Sequence, residues 1–332
     1  MKKILMLGMG GTIASEPTEN GLAPAMTPEQ LLQQVPAISQ ICQVECRTLF
    51  AIDSTDVTPR HWLAAAKAIQ EAYEDYDGFV LSHGTDTMAY TAAALSYLIQ
   101  GGRKPIILTG AQKPIRFADT DSRINLTDAF VCACAQDMAG VYIVFNGRVI
   151  SGTRARKTRS KSFQAFSSIN YPYVAVVQDG RLLQYIRREG QEELVFAQKL
   201  DERVGLLKLV PGTDPALLEF LLERKDAVII ESFGVGGLPT YEDGRFGKLI
   251  RQYTQAGKFV IMTTQVQNEG SDLTVYSVGR PLKDCENLME TYDMTTECAL
   301  AKLMWILGQT RDSQQVRELF YHPVADDILL RM

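Results

Sequence analysis

The chain has 332 residues, 46% of them hydrophobic, with 34 Lys and Arg against 39 Asp and Glu and a formal net charge of -5. That length suits two domains rather than one, and the apolar content excludes a disordered chain. The acidic balance argues against nucleic acid or an anionic membrane as the primary partner and leaves a small molecule as the expected ligand.

The first apolar run, KKILMLG at residues 2–8, reads as a β-strand. Its two lysines precede the apolar residues as in a signal peptide, but Gly8 interrupts the run and a polar loop follows. An h-region of roughly 7 to 15 apolar residues is therefore not formed. The strand leads into LGMGGTIAS, residues 7–15. A dinucleotide fingerprint would need glycine at 8, 10 and 13, but residue 13 is Ile13, and a P-loop would need Gly-Lys followed by Ser or Thr. Both standard phosphate motifs are absent, although a nonstandard nest of N–H groups stays open. The other use of Gly10 and Gly11 is to frame Thr12 with unobstructed N–H groups, which suits an oxyanion hole beside a nucleophile. Residues 16–25, polar and carrying Gly21 and two prolines, read as a mobile lid.

Thr27-Pro28 and Thr58-Pro59 each pair an N-cap residue with proline at the first helical position. In the second of these helices Trp62, Ala66, Ile69 and Tyr73 recur at helical spacing and predict a core-facing stripe. Ahead of it, AIDSTDVTP (51–59) follows the strand VECRTLF. Asp53, Ser54 and Thr55 either cap this turn or offer hydroxyl and N–H donors for a carboxylate and an acceptor for an ammonium, a combination that fits an amino acid.

The strand GFVLSH (78–83) ends on His83-Gly84 and then presents Thr85, Asp86 and Thr87, a second strand-Gly-Thr loop. Asp86 reads equally as the N-cap of the next helix and as a site carboxylate, and the two roles are compatible. His83 is one of three histidines (61, 83 and 322), and with no G-x-S-x-G elbow in the chain it reads as structural. PIILTG (105–110) and VYIVFN (141–146) give two more strands. The basic cluster TRARKTRSK (153–161) is either a solvated loop or the source of a lysine, Lys157 or Lys161, that handles the proton of a threonine hydroxyl.

The six cysteines (42, 46, 132, 134, 285 and 298) show no C-x-x-C spacing and read as reduced packing residues of a cytoplasmic protein. No His/Cys cluster with ligand spacing suggests a metal, and no segment approaches the ~20 apolar residues that span a bilayer. The polar stretch around 184–203 lacks periodicity and reads as a linker. A second α/β set follows in VGLLKLVPG, a helix after Asp214-Pro215, AVIIESFG, a helix through FGKLIRQYTQAG, and FVIMTTQ. The expected architecture is α/β: a larger N-terminal open-sheet domain of flavodoxin or Rossmann type (1–184), a linker (185–203) and a smaller C-terminal α/β domain (204–332).

GGTIAS (10–15), DST (53–55), HGTDTMAY (83–90), TGAQKPI (109–115), GVGGLP (234–239) and DMTTECALAKLMWILG (293–308) occur in one consistent order. Together they resemble the asparaginase/glutaminase family, specifically its cytoplasmic-type (type I) L-asparaginases. The resemblance runs from residue 2 to about 320, and the pair GGTIA and HGTDT is the specific part of it. It implies an enzyme that hydrolyses L-asparagine to L-aspartate and ammonia through a threonine acyl-enzyme, without a cofactor or metal, as a homodimer or a pair of dimers. Carried over by position, Thr12 is the nucleophile, and Thr85, Asp86 and Lys157 form the proton-handling group. Lys157 is chosen over Lys161 because the family's lysine stands six positions before the phenylalanine of F-x-A-F-x-S, here Phe163 to Ser168. Asp53, Ser54, Thr55, Thr85 and Asp86 hold the substrate's α-carboxylate and ammonium, and the backbone of Ala111 meets the amide. One position departs from the family. Aligning ENGLAP (19–24) puts Leu22 where most members carry a lid tyrosine.

Two other readings compete. L-Glutamine hydrolysis, alone or within an archaeal tRNA-dependent amidotransferase, uses the same chemistry, and the basic run at 154–161 favours it. Those amidotransferase subunits usually carry an extra N-terminal domain, however, and GGTIA begins here at residue 10. A non-catalytic amino-acid sensor would retain Ser54 and Asp86 but has no need of Thr12 and Lys157, which are both present.

Overall fold

The computed structural model describes residues 1–19, 21–275, 282 and 284–329. They form two compact units, Met1–Gln198 and Lys199–Met332.

The first unit is built on an eight-stranded sheet. Its five parallel strands are Lys3–Gly10, Gln43–Ile52, Gly78–Ser82, Pro105–Thr109 and Gly140–Phe145. Gly78–Ser82 and Pro105–Thr109 are buried at every position, as continuous apolar runs must be when helices cover both faces of a parallel sheet. Counted in chain order the five strands stand 2-1-3-4-5. This is the flavodoxin-like order, in which the chain reverses direction across the sheet between the first and third strands and ligands collect at the carboxyl ends there. The loops leaving that point carry Thr12 and Thr85.

Three short antiparallel strands, Arg148–Ser151, Ala175–Gln178 and Arg181–Gln184, complete the sheet. On one face Ile4, Met6, Val80, Ile107 and Tyr142 share a buried cluster with Leu126, Ala129 and Phe130 of the helix Ser122–Ala133. The helix Pro59–Ala72 buries Trp62, Ala66 and Ile69, and Tyr73 follows at its end, so the predicted stripe is core. The helix Pro28–Gln33 starts as its sequence indicates: Gln30 N–H donates to Thr27 Oγ1 at 3.4 Å and Thr27 N–H to Gln30 Oε1 at 2.8 Å.

One stretch of this unit differs from its sequence reading. Within 185–203, taken as a linker, the strand Gln191–Phe196 pairs antiparallel with Ile99–Gly102, and Phe196 meets the Tyr73 ring edge-on at 5.7 Å. That strand pairing and aromatic contact hold the stretch to the first unit, and the division falls after Gln198. The segment read from sequence as a lid contains a short hairpin in which Ser15–Thr18 pairs with Gly21–Pro24. Glu16 Oε1 lies 2.7 Å from Arg116 Nη1, an ion pair that ties the hairpin to the loop beyond Ile115.

The second unit carries four parallel strands in sequential order, Val204–Lys208, Ala227–Ser232, Phe259–Thr264 and Leu288–Glu290. The first three match the apolar runs of the sequence, whereas the last is only three residues long and has no pattern of its own. The helix Pro215–Arg224 begins with Ala216 N–H donating to Asp214 Oδ1 at 2.8 Å. The core of this unit gathers Leu207, Leu218, Leu222, Ile230, Phe246, Ile250 and Met262. Among the described residues no helix is long and apolar enough to cross a membrane, and all six cysteines are free.

Candidate active site

Three loops meet at the carboxyl end of the first strand because two glycines leave no room for side chains. At Gly11, with φ +82°, an added Cβ would stand 2.3 Å from the nitrogen and 2.4 Å from the Cα of Gly84. At Gly84 an added Cβ would stand 2.6 Å from both Cβ and Oγ of Ser54. Contacts this short admit no side chain without moving backbone, so the loops headed by Gly11, Gly84 and Ser54 are in direct contact. Gly11 N–H also donates to Ile52 O at 3.0 Å, which fixes the first loop to the end of the second strand. Thr12 and Thr85 follow the touching glycines by one residue each. Thr12 opens a 3-10 turn, Thr12–Ala14, and is partly exposed, whereas Thr85 is 4% exposed.

Lys157 reaches this junction from the strand Ala155–Lys157, which pairs with Phe166–Ser168 so that Lys157 stands opposite Phe166. Its Nζ donates to Thr85 Oγ1 at 2.8 Å and to Asp86 Oδ1 at 2.6 Å. The lysine side chain is 17% exposed and that of Asp86 57%, so the cation is sheltered while its carboxylate partner faces solvent. Lys161, the other lysine of the basic run, is exposed on the loop beyond. Of the two basic residues weighed from sequence, Lys157 is the one at the junction.

The capping roles weighed from sequence divide. Asp53 is a cap: its Oδ1 accepts from Thr55 N–H and from Thr55 Oγ1, each at 2.8 Å. Asp86 is not, since the helix Met88–Leu98 starts after Thr87 with no side-chain cap and the Asp86 carboxylate turns to Lys157. Ser54 is buried and ties the second loop to the third. Its Oγ accepts from Asp86 N–H at 3.3 Å, and its carbonyl accepts from Thr87 Oγ1 at 2.7 Å.

Gln112 was missed. It belongs to TGAQKPI, from which the sequence singled out only Ala111, a residue 1% exposed. Thr85 Oγ1 donates to Gln112 Oε1 at 3.4 Å, and Gln112 Nε2 donates to Ser162 O at 3.1 Å. Asp121 holds the backbone of that turn. Its carboxylate accepts from Gln112 N–H at 3.0 and 3.1 Å and from Lys113 N–H at 3.1 Å. A clue was the acidic residue ahead of the Ser122 helix, which sequence rules assign to helix capping; here the carboxylate serves a turn nine residues back.

The junction therefore offers hydroxyls on touching loops, an ammonium donating to one of them, and an outward carboxylate. Such a set can move protons at a hydroxyl nucleophile and bind an amine.

The family model described as Asparaginase, N-terminal, matches residues 3–189, and the Glutaminase/Asparaginase C-terminal domain matches residues 203–320. The chain belongs to the asparaginase family. L-asparaginase from Thermococcus kodakarensis is 38% identical over 328 residues, covering 98% of this chain and 99% of that protein. The solved structure of the thermostable L-asparaginase from that organism superposes with a TM-score of 0.91 at 36% identity, over 99% of this chain and 100% of the other. L-asparaginase I from Vibrio cholerae superposes with a TM-score of 0.87 at 28% identity, covering 99% of both chains. A glutamyl-tRNA(Gln) amidotransferase subunit from Pyrococcus horikoshii is 34% identical over 340 residues, which cover 98% of this chain and 76% of that protein.

Proposed function

We propose that this asparaginase-family protein hydrolyses the side-chain amide of L-asparagine to L-aspartate and ammonia, with Thr12 as nucleophile. Thr12 Oγ attacks the carboxamide carbon, Lys157 gives one ammonium proton through Thr85 to the amide nitrogen and takes up the Thr12 proton in its place, and the C–N bond breaks as ammonia leaves, so the relay ends as protonated as it began. Water then attacks the resulting ester, and the alkoxide of Thr12 recovers its proton. Backbone N–H groups beside Thr12 and Thr85 stabilise the oxyanion of each tetrahedral intermediate, a contribution of about 3 kcal/mol per donor in related acyl transfers.

Asp86 holds the substrate ammonium, which brings a second cation to a carboxylate that already has Lys157 on one oxygen. The turn Asp53, Ser54 and Thr55 presents donors to the α-carboxylate. The observation that carries this reading is the Lys157 ammonium donating at once to Thr85 and Asp86, on the loop that touches Gly11. The homo-oligomeric state and cytoplasmic location implied by the resemblance belong to the same proposal, and light scattering reads the first.

Ammonia release from L-asparagine and L-glutamine, measured beside Thr12→Ala and Lys157→Met, is the test. Release from L-asparagine that disappears in both variants supports the assignment. A preference for L-glutamine would move the protein toward the amidotransferase branch, which the relative from Pyrococcus horikoshii keeps in view. Binding of asparagine without any release would favour the sensor reading.

A further inference from the structure

His83 stands at the end of the strand Gly78–Ser82, 1% exposed, with both ring nitrogens engaged. Nδ1 lies 2.7 Å from Gly84 O, and Nε2 lies 2.9 Å from Thr91 Oγ1. A carbonyl oxygen only accepts, so Nδ1 carries the hydrogen. Burial pushes the His83 pKa down to about 4, which keeps the ring neutral near pH 7 and leaves Nε2 as a bare acceptor. Thr91 therefore donates its hydroxyl to Nε2. Its oxygen in turn accepts from Trp62 Nε1 at 3.0 Å, and an indole nitrogen only donates. The sense of the chain is thus fixed from Trp62 to Thr91 to His83 to the Gly84 carbonyl. Thr91 is 0% exposed and Trp62 5%, so no solvent competes for these bonds.

The last acceptor gives the chain its consequence. Gly84 C=O and Thr85 N–H belong to one peptide unit, and that unit is trans. In a trans unit the two groups point opposite ways. A carbonyl held against His83 directs the Thr85 N–H to the other side, and that N–H has no acceptor among the described residues. The same residue's hydroxyl receives the Lys157 hydrogen bond.

We propose that Trp62, Thr91 and His83 are positioning residues that set the Gly84–Thr85 peptide plane, aiming the Thr85 amide at the reacting oxyanion. The effect on turnover rests on the hydrolase reading above; the direction of the hydrogen-bond chain does not. A histidine that merely fills the core would need its bonds only for stability. A positioning histidine acts on kcat.

The test compares wild type with Thr91→Val, Thr91→Ser and Trp62→Phe at a temperature where circular dichroism shows all of them folded. Thr91→Val is expected to lower kcat for L-asparagine about tenfold or more with KM changed less than about twofold, and Thr91→Ser to restore it. Trp62→Phe, which removes one donor at the far end, gives a smaller loss in the same direction. Wild-type kcat in Thr91→Val, or failure of serine to rescue, overturns the proposal. In parallel, nitrogen-15 spectra of the histidine rings are expected to show His83 as the Nδ1–H tautomer in wild type, and an Nε2–H tautomer overturns the proposal by itself. A wild type that released no ammonia from any amide would sink the hydrolase reading, and with it the aim at an oxyanion, while the tautomer would still judge the chain.

Discussion

The two units each hold a lysine–aspartate pair at the same separation, 2.6 Å, in opposite surroundings. Lys302 and Asp327 of the second unit are both 0% exposed, whereas Lys157 and Asp86 of the first are 17% and 57% exposed. Around Lys302 the other valences are filled: its Nζ also donates to His322 O at 2.8 Å and lies 5.9 Å from the Phe320 ring centroid. Asp327 Oδ1 accepts from Val324 N–H at 2.9 Å. That pair fastens residues 322–327 to the helix Thr296–Leu307 and is closed off from solvent. Burial pushes the Lys302 pKa down against the pull of Asp327. The pair in the first unit spends its lysine on Thr85 and leaves its carboxylate toward solvent, where a ligand can reach it. Equal distances thus sit in different surroundings, and exposure rather than separation distinguishes the pair proposed for function.

Removing each lysine in turn separates the two pairs most decisively. Lys157→Met is expected to lower kcat/KM for L-asparagine by about 10²- to 10⁴-fold, the range of a lost proton-transfer group, while the denaturation midpoint stays near that of wild type. Retained turnover would remove Lys157 from the chemistry. Lys302→Met is expected to do the reverse, destabilising by about 3–5 kcal/mol because Asp327 is left buried and uncompensated. Urea denaturation checks it, and activity per folded molecule should not change. A stability loss below about 1 kcal/mol would mean that the second pair is no fastening.

A smaller effect concerns His83, beside the first pair. Its folded pKa of about 4 lies below the ordinary 6.5 because burial penalises the cation. As pH falls, the unfolded chain takes up the proton first. The stability is complete above pH 6.5 and is lost progressively as pH drops toward 4, by about 3 kcal/mol in all. In His83→Gln that segment of the pH dependence should vanish; parallel stability curves for the two proteins across this window would refute the burial argument. The smallest expected change is at Leu22, which is 51% exposed on the hairpin opposite Pro17. Leu22→Tyr is expected to leave kcat equal or raised, and a strong loss would show that the hairpin is aligned wrongly with the family's lid.

Four of the five parallel strands were legible because each is an apolar run covered on both faces, whereas Gln43–Ile52 is an edge strand with no buried position. The loops bearing Thr12 and Thr85 could be located from their glycines. The short antiparallel strands were not. Arg148–Ser151 and Arg181–Gln184 are four residues each, and their extended form is imposed by the neighbouring strand rather than by any period. Gln191–Phe196 was hidden for a related reason: its polar composition reads as linker, and Phe196 becomes informative only with Tyr73 beside it. At the site, Asp86 was ambiguous because a carboxylate ahead of a helix caps by default. Its true partner, Lys157, is 71 residues away. Gln112 and Asp121 were illegible because their value lies in a turn that local rules do not describe. His83 was read as structural, and burial agrees, yet its hydrogen bonds end on the backbone of the loop that carries Thr85.

The covalent ester proposed on Thr12 is tested most directly by acid quenching of wild type during turnover of L-asparagine, followed by peptide mass analysis. An aspartyl adduct on Thr12, absent in an inactive Thr12→Ala protein, is the predicted result. An adduct on another residue, or ammonia release at the wild-type rate from Thr12→Ala, would contradict it.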